Sequence, residues 1–344
     1  TFASARDITL TGSGTVSTDT ATTLTLSGTI TGEDGLTKAG AGMLVLSGTN
    51  DYTGGTTVSA GTLQVGNGGT SGSLAGAIAK SGTLVFDRSD DLTAGGAITG
   101  TGALDKRGAG MLSLTGANRA GAGTAVSAGT LALGGGVSLA SDVEVKSGAT
   151  LQGATDGTAG GTIAGTVTIA DGGTLRAGAG TTAGAYGLSV SALVLSGSAN
   201  VDVVLGAPGS GGVISTGTLT LDGVLNVTNG GGMAVGVYRI IDYTTLAANN
   251  GLVLGTTPTD FAYEIQLAPG QVNLAVLSGE MLYWNGSTTT ADGTIQGGNG
   301  TWTASPTETN WLTSSLNQSR AWNGGFAAFA GTAGTVTVDG TVSA

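Results

Sequence analysis

Cysteine and histidine are both absent from the 344 residues. Disulfides, thiolate metal sites, thiol nucleophiles and any histidine-dependent catalytic triad are thereby excluded. Proline occurs only 4 times and aromatic residues make up 4% of the chain, so neither a proline-rich linker nor an ordinary aromatic core is expected. Charged residues are 10%, against roughly 25% in typical globular proteins. The net charge of −11 opposes nucleic-acid phosphates and anionic membrane surfaces. The one adjacent basic pair, Lys106–Arg107, reads as a solvated turn before a strand. No apolar run approaches the roughly 20 residues of a spanning helix. Thr1 does not open a basic and then apolar leader, so an exported chain would begin here after its signal.

What is present is glycine, 67 residues of it, punctuating short aliphatic runs. Positive mean hydropathy (+0.27) argues against a disordered Gly-rich linker. The text repeats: Gly40 to Gly48 matches Gly108 to Gly116 at seven of nine positions, and VSAGTLQVG from Val58 returns as VSAGTLALG from Val126 at seven of nine. Both pairs are offset by 68 residues. Runs such as TLTLSG (Thr23 to Gly28), MLVLSG and GTLQVG alternate aliphatic and polar residues with the period of a half-buried strand. Taking Leu44, Leu63, Leu84 and Leu112 as successive markers makes one repeat about three turns of a coil.

Further markers at Leu131, Leu151, Leu175 and Leu195 keep a period near 20 to 24 with no helical segment between them, the spacing of a parallel β-helix. About fifteen rungs are expected over the whole length. Gly pairs such as Gly54–Gly55 and Gly172–Gly173 are placed at the corners. Phe86 to Gly96 reads as a strand end and a loop leaving the coil, and Gly206 to Gly212 as a second loop.

From Tyr238 the composition changes. The segments around Tyr238 to Leu277 read as larger strands of the same coil, giving a β-helical region 1–277. The aromatic-rich stretch 278–344, holding all four Trp, reads as a continuation that stops in mid-solenoid at Thr335 to Ala344. The Trp set reads as thicker core or loop anchoring, with a ligand-binding aromatic surface as the sharper alternative.

Chemistry-bearing groups are few. Glu33–Asp34 and Asp90–Asp91 are adjacent, whereas acid–base work needs two carboxyls converging on one cleft. Asp87, Asp90 and Asp91 lack the spacing of a calcium loop. No catalytic residue, metal or cofactor is expected. The residues best placed for ligand contact are Arg88, Ser89, Asp90 and Asp91 in one loop, Pro208 and Ser210 in the other, and Trp302 and Trp311 in the aromatic end.

The two AGMLxLxG…VSAGTLxxG blocks, at Ala41 to Gly66 and Ala109 to Gly134, resemble the autotransporter-associated β-strand repeat of bacterial type V autotransporter passengers. The resemblance extends more loosely over most of the chain. It implies an all-β, right-handed parallel β-helix displayed at the bacterial cell surface or released from it, with the outer membrane reached only through a C-terminal barrel missing from this chain. It also implies an adhesin or rigid adhesive stalk whose partners are host extracellular-matrix or cell-surface proteins, glycans, or a second copy of itself. The alternatives are a carbohydrate-active β-helix with an acidic cleft and a passive spacer for another domain.

Overall fold

The computed structural model describes residues 1–116, 119–153, 160–176, 187–208, 214–259, 261–278, 281–303, 305, 307–313, 316, 318–322 and 326–340. Among them there is no helix; short strands stack turn upon turn in parallel into a β-solenoid. One turn buries too few side chains to offset the cost of ordering its own backbone, so each depends on the turns above and below.

Three sheets run along the coil. The longest has 15 strands and includes Thr23–Leu26, Met43–Leu46, Thr62–Val65 and Thr83–Phe86. A second, of 6 strands, includes Leu36–Ala39, Thr56–Val58 and Ile78–Lys80. A third, of 8 strands, includes Leu92–Ala94, Met111–Leu114 and Gly129–Leu133. The alternation places the core correctly: Leu44, Leu46, Leu63, Val65, Leu84, Leu112, Leu131 and Leu151 are all fully buried.

The phase of the repeat differs from the expectation. Leu44, Leu63, Leu84 and Leu104 stand in one column of the long sheet. Leu112 instead pairs with Leu92 and Leu131 in the third sheet. Three turns therefore take the chain only to Leu104, and the 68-residue repeat is three turns plus one face. The strand Met43–Leu46 lies in the long sheet, whereas its copy Met111–Leu114 lies in the third. For the same reason Phe86 to Gly96 does not leave the coil: Leu92–Ala94 is a strand of it, in register with Leu112 and Leu114. An alternating run of three residues was too short to mark this strand by pattern alone.

Glycine works at the corners in two ways. Gly40 and Gly108, equivalent in the two copies, take φ of 73° and 52°, a region closed to most side chains. Gly110 instead permits contact between turns, since a Cβ there would overlap the carbonyl of Asp90.

The corners also hold three buried lysines, Lys38, Lys80 and Lys106. Lys38 Nζ donates to the carbonyls of Ala39, Gly40 and Ala60 at 2.7, 2.7 and 3.2 Å. Lys106 Nζ repeats the pattern on Arg107, Gly108 and Ala128 at 2.6, 2.9 and 3.2 Å. Lys80 Nζ donates to Gly102 O. The reading of Lys106–Arg107 as a solvated pair thus holds only for Arg107, which bonds Asp105 at the surface. The Lys106 stem runs through the core because its position pairs with Phe86 and Val126, an inward column.

Turns lengthen toward the C-terminus: the paired positions Val143, Val167, Leu193, Leu219 and Leu246 are 24 to 27 residues apart. The coil also ends early, which leaves fewer turns than the fifteen expected. Gly236–Asn249 pairs in parallel with Ile214–Leu221 on one side, while its first half pairs antiparallel with Gln271–Ser278 on the other. Phe261–Ala268 and Gln271–Ser278 form a hairpin closed by Pro269–Gly270, with Gly270 at φ 77°. This hairpin covers part of the last strand edge with Val272, Leu274 and Val276, where further turns of the coil were expected.

Residues beyond the hairpin gather a second core of Leu282, Trp284, Trp302, Trp311 and Trp322. Its strands mix directions, Met281–Trp284 running parallel to Phe326–Ala328 and antiparallel to Trp311–Leu312.

Candidate functional site

Leucines on the inner face and glycines at the corners leave few positions for chemistry, so departures from the coil are informative. The largest described departure near the N-terminal repeat is the segment from Gly66 to Ala77, between strands Thr62–Val65 and Ile78–Lys80. Its tip, Asn67 to Ser71, is exposed.

Arg88, from the following turn, holds this loop. Its Nη1 donates to Gly72 O at 2.5 Å and its Nη2 to Thr70 O at 2.7 Å. Asp90 orients the guanidinium through a two-pronged contact, Nε to Oδ1 at 2.8 Å and Nη2 to Oδ2 at 2.7 Å. The Arg88 side chain is only 14% exposed. The bond to Arg88 holds the Asp90 carboxyl below its ordinary range. Backbone bonds add to the clamp, from Gly68 N to Asp87 O (2.9 Å) and from Ser89 N to Gly69 O (3.0 Å). On the far side, buried Asn50 donates through Nδ2 to Ser73 O (3.0 Å) and takes the backbone N–H of Ile30 on Oδ1 (3.0 Å). Neither the hold of Arg88 on the loop nor the Asn50 node is visible as a local motif, because the backbone groups they bind lie 16 to 23 residues away in sequence.

The sequence-selected residues therefore divide. Arg88, Ser89, Asp90 and Asp91 share one corner, with Ser89 exposed beside the loop. Asp91 Oδ1 accepts the N–H of Met111 at 2.9 Å and so ties its turn to the next. Pro208 is exposed and lies against Gly236, while Ser210 is outside the described residues. Trp302 and Trp311 are buried and pack on each other with ring centroids 5.2 Å apart. Their rings fill the second core instead of forming an open aromatic surface, since the stack removes from water the area that would otherwise be displayed.

Acidic side chains elsewhere serve the coil. Asp7, Asp142 and Asp171 each accept a backbone N–H from the next turn, from Thr29, Thr166 and Ser198 at 2.8, 2.7 and 2.9 Å. The N–H and hydroxyl of Ser198 lower the Asp171 carboxyl below its ordinary range. A shallow recess of about 400 Å³ on the long sheet includes Asp105, Asp142 and Glu144. Of these, Asp105 is engaged by Arg107 (2.6 Å) and Ser127 (2.8 Å), and Asp142 by Thr166. Among the described residues, no three of the Asp and Glu side chains gather where they could hold a metal ion.

Arg88→Ala is expected to free the loop without unfolding the coil. Amides of Gly68 to Ser73 should exchange faster by about tenfold, with a loss of about 1 kcal/mol or less in global stability. Hydrogen exchange read by mass spectrometry checks this, and unchanged exchange across the loop would show that the backbone bonds alone suffice.

Comparison with known proteins agrees with the repeat seen in the strands. Residues 36–65 and 104–133 match the family description of the passenger-associated-transport-repeat. Over 158 residues, 43% of this chain, the sequence is 39% identical to the adhesin BmaC autotransporter of Brucella suis biovar 1 (strain 1330). That stretch is 5% of the relative's length. The chain thus carries two stretches that match the passenger-associated-transport-repeat, stacked in a parallel β-solenoid, and over part of its length it is similar to an autotransporter adhesin.

Proposed function

We propose that this segment is displayed outside the outer membrane and acts as an adhesin or as the rigid adhesive part of one. It would bind host extracellular-matrix or cell-surface proteins, glycans, or a second copy of itself. The observation that carries this reading is the division of labour in the coil. Its charged side chains at the corners tie one turn to the next, and one ordered loop, Asn67 to Ser71, is held out from the stack by the Arg88–Asp90 clamp. A preformed loop on a stiff scaffold loses little entropy on contact, which favours recognition by surface complementarity. Similarity to an autotransporter adhesin supports the same reading.

The test uses the purified chain immobilised on beads and applied to matrix proteins and cultured host cells. Adhesion that falls at least about threefold when Asn67 to Ser71 is replaced by a shorter Gly-Ser link, with the circular dichroism spectrum unchanged, is the expected result. Adhesion that is absent from the start, in a chain that is folded, would assign this segment to the spacer role instead.

A further inference from the structure

Phe329 is out of place for its surroundings. Its ring lies 6.1, 5.9 and 5.7 Å from the rings of Trp284, Trp302 and Trp311, yet the residue is 54% exposed. An aromatic seated on a buried indole stack would ordinarily be covered with it. Beside it opens a pocket of about 330 Å³, bounded by Trp284, Gly297, Gly298, Phe329, Gly331 and Val336 among others. This is at the small end of ligand pockets, about 300 to 1,000 Å³.

The walls of the pocket are built. Trp284 Nε1 donates to Gly298 O at 3.0 Å, fixing the ring against the Gly297–Gly298 turn. Gly298 N donates to Thr332 O at 2.7 Å and Thr332 N to Gln296 O at 2.9 Å, which ties the facing segment in place. A Cβ on Gly334 would overlap the Gly298 backbone, so one close backbone pass forms a side of the pocket, and Gly300 packs against the Trp284 ring, where a Cβ would meet Cζ2 at 2.6 Å. Among the described residues, no charged side chain contributes to the lining.

A second observation concerns the indoles beneath Phe329. The Nε1–H groups of Trp302 and Trp311 are buried and have no hydrogen-bond partner among the described residues. Two unpaired donors in one small core are costly. Both belong to rings in contact with the exposed Phe329.

We propose that this pocket is a binding site for a neutral saccharide, deepening the adhesive reading above on which it rests. The C–H face of a sugar ring packs on Phe329, and its hydroxyls meet the backbone groups of the Gly297–Gly298 and Gly331–Gly334 segments, while the two buried indole N–H groups lie outside the lining. The chemistry separates this ligand from others. An acidic glycan, a phosphate or an acidic peptide would be stripped of water with no cation to meet it. A purely apolar ligand would strip water from the backbone groups of the glycine-rich segments that line the pocket and give them nothing in return.

All four Trp residues fall in the stretch from Trp284 to Trp322, so tryptophan fluorescence, excited at the red edge where tyrosine does not absorb, reports on this unit alone. The experiment titrates the chain with lactose, maltose, cellobiose and N,N′-diacetylchitobiose, and with sialyllactose as the charged counterpart. Saturable quenching or a blue shift by at least one neutral disaccharide, with a dissociation constant on the order of 1 mM, is expected. Phe329→Ala should weaken it about tenfold while near-ultraviolet circular dichroism still shows a packed Trp core, and Phe329→Trp should restore it. No response to any neutral disaccharide at tens of times that concentration, preference for sialyllactose, or an unchanged affinity in Phe329→Ala would each overturn the proposal. Adhesion of the parent chain is scored in parallel. Adhesion without saccharide binding removes this site and leaves the adhesive reading, whereas saccharide binding without adhesion removes the latter.

Discussion

Gly110→Val is expected to be among the most damaging single substitutions in the repeat. The backbone there lies against the preceding turn, and the new Cβ would overlap the Asp90 carbonyl. The neighbour is main chain, so no side chain can swing aside. The two turns must part, which breaks the ladder between Leu92–Ala94 and Met111–Leu114. A cost of about 3 kcal/mol or more is expected, at the upper end of overpacking effects. The urea midpoint measures it. Gly12→Ala is the matched control, since nothing lies within 4 Å of a Cβ built there, and it should change stability by less than about 0.5 kcal/mol. Equal effects from the two would mean that contact between turns does not set the glycine requirement.

The second large effect is predicted at the corner lysines. Lys106→Ala removes a buried aliphatic stem and leaves the carbonyls of Arg107, Gly108 and Ala128 without their donor. A loss of about 2 to 4 kcal/mol follows from the cavity and the unpaired acceptors together. The same lysines give stability a pH dependence of unusual sign. Burial pushes Lys80 and Lys106 down to about 8, from an ordinary value of 10.5. Between those values the unfolded chain binds more protons than the folded one, so stability rises as the pH is raised from about 8 to about 10.5. Below about 8 both states carry the charge and the burial cost is constant. Lys80→Met with Lys106→Met should flatten this rise in urea melts taken across the range. A slope that survives in the double variant would place its origin elsewhere.

How legible all this is from the residues depends on whether the signal is local. Leu44, Leu46, Leu63 and Val65 are readable because strand alternation needs only neighbours two positions away. The 68-residue return is readable as identity of wording, yet its phase is not, because Leu104 and Leu112 are equally good aliphatic markers and only pairing decides between them. The lysines are hidden by their composition. A Lys beside an Arg suggests solvent, and the inward direction of Lys106 follows from its column partners Phe86 and Val126. The stretch around Arg88 reads as a loop leaving the coil, but the departure lies one turn earlier, from Gly66, and Arg88 holds it from within the stack. Pro269–Gly270 is a local hairpin signal that was available, though the strands on either side read equally well as further rungs. Trp302 and Trp311 show the same limit from the other side: aromatic clustering is plain in the text, while burial depends on Phe329, Trp284 and Trp322 meeting them.

The extra face in each repeat has a geometric consequence for any longer chain written in the same units. Because the second copy begins one face further round than the first, a side chain that recurs in every repeat winds about the axis like a thread on a screw. With three faces, it returns to its starting direction only after three repeats. A rod built this way has no blind side, so a partner approaching from any azimuth meets a copy of the same group. Several such partners can be engaged at once without crowding on one flank, the arrangement from which multivalent attachment gains most.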